Sequence, residues 1–332
     1  MIAYKYRGGP NFARDLDSLA SDHFYAAGPD TLNDAFEATY STEPIEKLLE
    51  LMELLAADEP SLVTLKESWQ GILKNTTKAG VFSLAARPDD LKLWAHYGSN
   101  YTGFCVGYEA DMLAKFNSHV CHTHYQVKVA YADQPATLEI TDLWGKDVYY
   151  FLQKMLGTKH PEWEHEAETR IITDNVGLMP HDFRAVKSIY FGLHMPQTQM
   201  EEVMQRMQGR GIAYYKMERS PIAYGLKVIP VADLFASAPR YLYRVAPVTD
   251  YALDTYAEGE ERAALLPYLH KAIEIQRRDP YCTEVCYADR CTSEERAGQL
   301  YVNYFYGIQY YNRYFTKDEV EQLYAQITGT AD

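Results

Sequence analysis

The stretch Pro161–Ile172, PEWEHEAETRII, sets four glutamates, one histidine and one arginine around Trp163. Like charges at i and i+4, Glu162 with Glu166 and Glu164 with Glu168, oppose a continuing helix, so the helix is expected to stop before Glu168. Strand alternation then puts Glu168, Arg170 and Ile172 on one face. A carboxylate two residues from a guanidinium is either a structural ion pair or a site carboxylate held ionised by its neighbour. Spacing alone favours the ion pair. Trp163 reads as a core anchor, and Glu162, Glu164 and Glu166 as solvated or supporting groups.

A second stretch, Asp90–Glu109, places Trp94, His96 and Tyr97 in the last turn of a short helix. They form either a packed aromatic corner, with His96 favoured by the helix C-terminus, or a pocket wall that stacks on a planar ring. Cys282, Cys286 and Cys291 have clustered thiols, but their spacing fits neither structural zinc nor a ferredoxin run, so three small buried residues is the stronger reading. The Cys121-His122-Thr123-His124 run is judged the same way. Phosphate-cradling glycine loops, a dinucleotide fingerprint, a serine elbow and a zincin motif are all missing from the sequence.

These residues need a scaffold, and the first 230 residues supply one. Nine short runs of β-branched and aromatic residues read as strands: IAYKY, HFYAA, GVFSLAA, GFCVGYE, QVKVAY, TRIIT, SIYFG, IAYYKM and YGLKVI. Helical periodicity predicts helices through residues 45–55, 65–73, 143–156 and 197–207. In the last hundred residues, the spacings Thr292/Glu295 and Thr316/Glu319 predict helix starts, and AGQLYVNYFYGIQYYNRYF presents a helical stripe. The expected organisation is an α+β domain over 1–235, built on small twisted sheets with flanking helices, followed by an all-helical C-terminal region over 236–332.

The chain has 332 residues and a formal net charge of -14, with no dense basic run, which argues against a nucleic-acid or membrane-surface partner. The N-terminus carries no signal-peptide pattern, and the five cysteines do not form a secreted framework, so a cytoplasmic location is expected. The 29 tyrosines, concentrated at both ends, suit helix faces or a stacking pocket equally well, and those of the C-terminal helices suggest a protein partner or a homodimer.

The blocks YKYR (4–7), FYAAGPDTLNDAFE (24–37), VFSLAARPDDLKLWAHYGSNYTGFCVGY (81–108), VAYAD (129–133), EHEAETRII (164–172) and IYFG (189–192) together resemble the bacterial domain of unknown function 2971. The resemblance covers about residues 2–230. Ala35 stands where that family typically has proline, and Ser83-Leu84 where it has serine-glutamate. A fainter likeness in block order is to ADP-ribosyltransferase-like proteins, whose split pair of small sheets clasps NAD. That likeness implies Glu168 as the catalytic carboxylate beside the ribose, Arg7 on phosphate or ribose, and Ser83 on the ribose or amide. Trp94, His96 and Tyr97 would line the pocket, with Tyr4, Arg170 and the polar loop of Asn33, Asp34 and Glu37 as further binding residues.

The leading expectation is therefore an NAD-consuming transferase or glycohydrolase, with a toxin or defence effector as its setting, NAD as substrate and no firmly implied cofactor. One alternative is a non-catalytic nucleotide- or protein-binding module. Another is a metal-dependent hydrolase using Glu164, Glu166, Glu168 and the Asn33-Asp34 loop as oxygen ligands.

Overall fold

A computed structural model describes residues 1–56, 59–115, 124–143, 148–241, 245–279, 282–306 and 309–329. The chain divides into two compact units, one over residues 1–115 and 124–238 and the other over residues 239–329.

In the first unit all nine strand-like runs form strands. The largest sheet orders Ile2–Arg7, Phe104–Glu109, Val186–Phe191, Ala213–Arg219 and Leu226–Val231 side by side. Its pairs are antiparallel except Val186–Phe191 with Ala213–Arg219, which run parallel. A parallel pair needs a crossover, and the helix Gln197–Arg206 lies in that connection, burying Met200, Val203 and Met204. A second, three-stranded antiparallel sheet places Thr169–Thr173 between Gly80–Leu84 and Tyr125–Lys128. Ile171 and Phe82 belong to the same apolar core as Phe104, Val106 and Ile189 of the large sheet. Reciprocal backbone bonds between Tyr4 and Ala85 stitch the edge strand Ile2–Arg7 to the second sheet. That seam frames the candidate site.

The helices Glu43–Ala56 and Pro60–Lys78 stand where hydrophobic periodicity predicts them, the second opening on its proline. The predicted 143–156 helix is shorter, Val148–Leu156, with residues 144–147 outside the described ones. Leu156, Trp69, Ile45 and Val81 share one apolar cluster. After the short helix Leu91–His96, Ser99, Asn100 and Tyr101 all take positive φ, a costly run for residues with a side chain.

The all-helical expectation for 236–332 is overturned. Two helices, Gly259–Gln276 and Lys317–Thr328, accompany a three-stranded antiparallel sheet of Glu284–Arg290, Leu300–Tyr306 and Gln309–Phe315. The tyrosine-rich run read as a helix is two of these strands, in register from Leu300/Phe315 to Tyr306/Gln309. Burial on the paired hairpin alternates: Leu300, Val302 and Tyr304 are buried in one cluster, while Tyr301 and Phe305 are only half-buried. Tyrosine, valine and phenylalanine also suit a pleated surface better than a helix. Thr292 and Glu295 open only a 3-10 turn, Glu294–Arg296, whereas Thr316 and Glu319 form the full reciprocal capping box. The helices expected to offer tyrosines to a partner are thus a hairpin. No helix among the described residues is long and apolar enough to cross a membrane.

Candidate functional site

The acidic stretch breaks as its charges require. Pro161–Glu166 is a 3-10 helix, Ala167 takes a left-handed conformation at φ 44°, and the strand begins at Thr169. This corner turns Glu166 and Glu168 inward, and both are buried. Of the two expectations for Glu166, solvated or supporting, its burial rules out the first. Glu162 and Glu164 remain exposed.

Glu168 meets two cations. Arg170 Nε donates to its Oε1 at 2.9 Å, and Lys159 Nζ donates to its Oε2 at 3.1 Å. Arg170 is 0% exposed and is fixed on every side: Nη1 donates to the Leu156 carbonyl at 2.6 Å, and Nη2 reaches both Glu37 oxygens at 2.8 and 2.7 Å. The Lys159 ammonium lies 2.7 Å from Glu166 Oε2 and 3.4 Å from Glu37 Oε1. Tyr97 donates to Glu166 Oε1 at 3.1 Å, and Asn33 donates to Tyr97 Oη at 3.2 Å. Trp163, instead of anchoring the core, is half-buried with its ring 4.8 Å from the Lys159 ammonium.

The electrostatics follow from that packing. Burial alone would raise the Glu168 pKa, but Arg170 and Lys159, with a hydrogen bond from Ser83, lower it to about 2. Burial opposes the charge on Lys159, and Glu168, Glu166 and Glu37 overcome it, so its pKa is raised. Burial and the neighbouring Glu166 push Tyr97 up to about 12.

Against this cluster lies a cavity of about 110 Å³. That volume holds several waters or one compact polar group, since a single water needs roughly 10–15 Å³. Tyr4, Asn33, Glu37, Ser83, Tyr97 and Glu168 line it, so six of the sequence candidates converge. Arg170 supports the wall from behind. Four candidates lie elsewhere. The Trp94 side chain is core: it is 0% exposed, its indole N–H donates to the Pro88 carbonyl at 2.8 Å, and it meets Tyr6 edge-on at 5.1 Å. His96 is exposed at the helix end. Arg7 lines a different hollow with Arg14 and Tyr108. Asp34 is buried and accepts from the Phe36 amide at 3.0 Å, holding the loop turn.

Sequence reasoning missed Lys5 and Lys159 as lining groups, and had Glu166 only as a supporting group or a metal ligand. Lys5 follows Tyr4 on the edge strand; its ammonium donates to the Ser83 carbonyl at 2.9 Å and sits 5.1 Å from the Phe82 ring. Part of its side chain reaches solvent, yet the ammonium is deep enough for desolvation, aided by Arg7, to lower its pKa to about 7 against the pull of Glu168, Glu166 and Asp15. Lys159 carries no local signal. The short strand Thr158–Lys159, paired with Ala130–Tyr131, delivers it to the carboxylates.

Glu37, Glu166 and Glu168 converge as magnesium ligands would, but the Lys159 ammonium occupies the place between them. Among the described residues no group of histidines, cysteines, aspartates and glutamates is arranged to hold a metal. Cys282 and Cys286 are buried and Cys291 half-buried, and burial pushes the Cys282 thiol up to about 12. Cys121, His122 and Thr123 lie outside the described residues; His124 is buried with Nδ1 3.1 Å from the Leu113 carbonyl.

Residues 93–171 match the family model described as protein of unknown function (DUF2971). The match spans less than a quarter of the chain. The DUF2971 match contains Tyr97, Lys159, Glu166, Glu168 and Arg170, and thus most of the charged wall, while Tyr4, Lys5, Asn33, Glu37 and Ser83 come from the chain before it. No curated protein and no solved structure matches the chain.

Proposed function

We propose that the protein is a small-molecule-binding module, cytoplasmic, whose cavity takes a compact polar group carrying hydroxyls or an anion, such as the ribose phosphate part of a nucleotide. The supporting observation is the pairing pattern. Each carboxylate in the wall already meets a cation or a tyrosine, whereas Lys5 makes one hydrogen bond to a carbonyl and has donors to spare. An anionic group there would gain a charge-assisted bond in a partly desolvated site. Titration with ribose 5-phosphate, AMP and ADP-ribose should raise Tm with saturation, and Lys5→Met should weaken that response. No shift with any of the three defeats the reading.

A second reading, cleavage of NAD in an ADP-ribosyltransferase-like core, draws on Ser83 and Glu168 lining one cavity with Tyr97. There Glu168 would stabilise positive charge on the ribose. Against it, Glu168 is held by Arg170 and Lys159, and Arg7 and Trp94 lie outside the cavity. Incubation with NAD separates the two: nicotinamide release that Glu168→Gln abolishes, in a variant still folded by circular dichroism, favours cleavage. A thermal shift without release favours binding.

A further inference from the structure

We infer that Lys5 is the reactive amine of this cavity, a nucleophile that condenses with a small aldehyde or keto compound to form an imine. Two lysines line the cavity. Lys159 is fixed by three carboxylates and keeps its proton. Among the described residues Lys5 has no carboxylate within ion-pair distance, and its ammonium rests instead against the Phe82 ring and the Ser83 carbonyl. Arg7, one strand step away on the same face and 5.7 Å from the same ring, repels its charge. An amine in such surroundings gives up its proton readily, which is how lysines are activated for imine chemistry.

Charged and titratable groups face Lys5 from several packed elements. Arg7 lies on its own strand, Cys105 on the neighbouring strand, Asp15 on the helix Phe12–Ala20, and Glu166, Glu168 and Lys159 line the same cavity. Tyr4, Tyr6, Tyr97 and Glu37 complete the titratable lining. Desolvation and Arg7 outweigh the acids, leaving Lys5 about half neutral near pH 7.

In the step itself the Lys5 lone pair attacks the carbonyl carbon and a C–N bond forms. The carbonyl oxygen then takes both amine protons and leaves as water, giving the imine. The cavity limits the partner to a compact molecule, of the size that the binding reading also requires, and the inference rests on that reading for its ligand class.

The test uses the unaltered full chain. It is incubated at pH 7 with glycolaldehyde or glyoxylate and cyanoborohydride, which reduces an imine to a stable secondary amine, and the labelled sites are mapped by mass spectrometry. Fragment ions separate Lys5 from the Met1 α-amine, which also reacts near neutrality. Lys5 should label at least about tenfold faster than exposed Lys92 and Lys227, because an ordinary lysine is neutral in only roughly one molecule in 3,000 at this pH. The Lys5 rate should also level off above pH 7 to 8 while surface rates keep rising. Preference for glyoxylate assigns an anionic carbonyl ligand, and equal labelling a neutral one; either supports the inference. Lys5 labelling no faster than Lys92 overturns it. Because labelling is read without any nucleotide, a fast Lys5 with no thermal shift would sink the nucleotide-binding reading alone.

Discussion

Lys5 and Lys159 share one cavity but are opposite solutions to the same problem. Both ammonium groups are taken partly out of water, which disfavours charge. On the Lys159 side the chain supplies Glu37, Glu166 and Glu168, and the charge is retained. On the Lys5 side it supplies an aromatic ring, a carbonyl and a second cation, and the charge is weakened. The difference shows that a cavity rich in acids and bases need not be reactive throughout. The paired side is built to stay as it is, and the unpaired side has bonding capacity to give to a ligand.

The largest effect should come from breaking the paired side. Arg170→Met leaves Glu168 and Glu37 facing each other in a buried wall with one fewer cation, and should cost about 3–5 kcal/mol in urea unfolding at pH 7. A loss below about 1 kcal/mol would show that the network is dispensable. The pH dependence has a definite sign. The folded pKa of Glu168, about 2, lies below its ordinary 4.5, so its stabilisation is present above pH 4.5 and is lost as pH falls towards 2. Arg170→Met should flatten that acid limb.

Lys5→Met should act in the other direction. The folded pKa of Lys5 is lowered from 10.5 to about 7, so the unfolded chain binds more protons between those values and stability rises with pH across that window. At pH 7 and below the charged lysine costs stability. Replacing it with an apolar side chain of similar length should stabilise the protein by about 2 kcal/mol there, a gain that shrinks towards pH 10. A destabilised Lys5→Met at pH 6 would break the contrast between the two lysines.

How much of this was legible in the sequence depended on range. Short strands such as TRIIT and GFCVGYE, and the helix behind Pro60, are fixed by local pattern, and the structure has them in place. So is the Glu168–Arg170 pairing, because alternation on one strand carries it. Glu37 and Ser83 appeared as polar positions in family-like blocks, yet their convergence on Arg170 and Glu168 needs chain separations that no window contains. Lys159 was invisible for the same reason. The C-terminal hairpin was misread for a different one. Its apolar and aromatic residues are so dense that they satisfy both a helical stripe and an alternating strand, and cross-strand pairing, not local spacing, decides between them.

The smallest effect tests where the two sides of the cavity meet. Tyr97 joins Asn33, at the solvent edge, to Glu166 on the paired side. Tyr97→Phe keeps the ring and removes two hydrogen bonds, one to a carboxylate that Lys159 still holds and one from exposed Asn33. The loss should cost about 1 kcal/mol, less than removing Arg170, because Glu166 Oε2 retains its ammonium partner at 2.7 Å and exposed Asn33 can turn to water. Reductive labelling of Lys5 in Tyr97→Phe should proceed at the unaltered rate, since Phe82, Ser83 and Arg7, which set its surroundings, are untouched. If the rate instead falls along with stability, the paired wall and the unpaired amine act as one unit, and the separation between Lys5 and Lys159 drawn from their contacts does not hold.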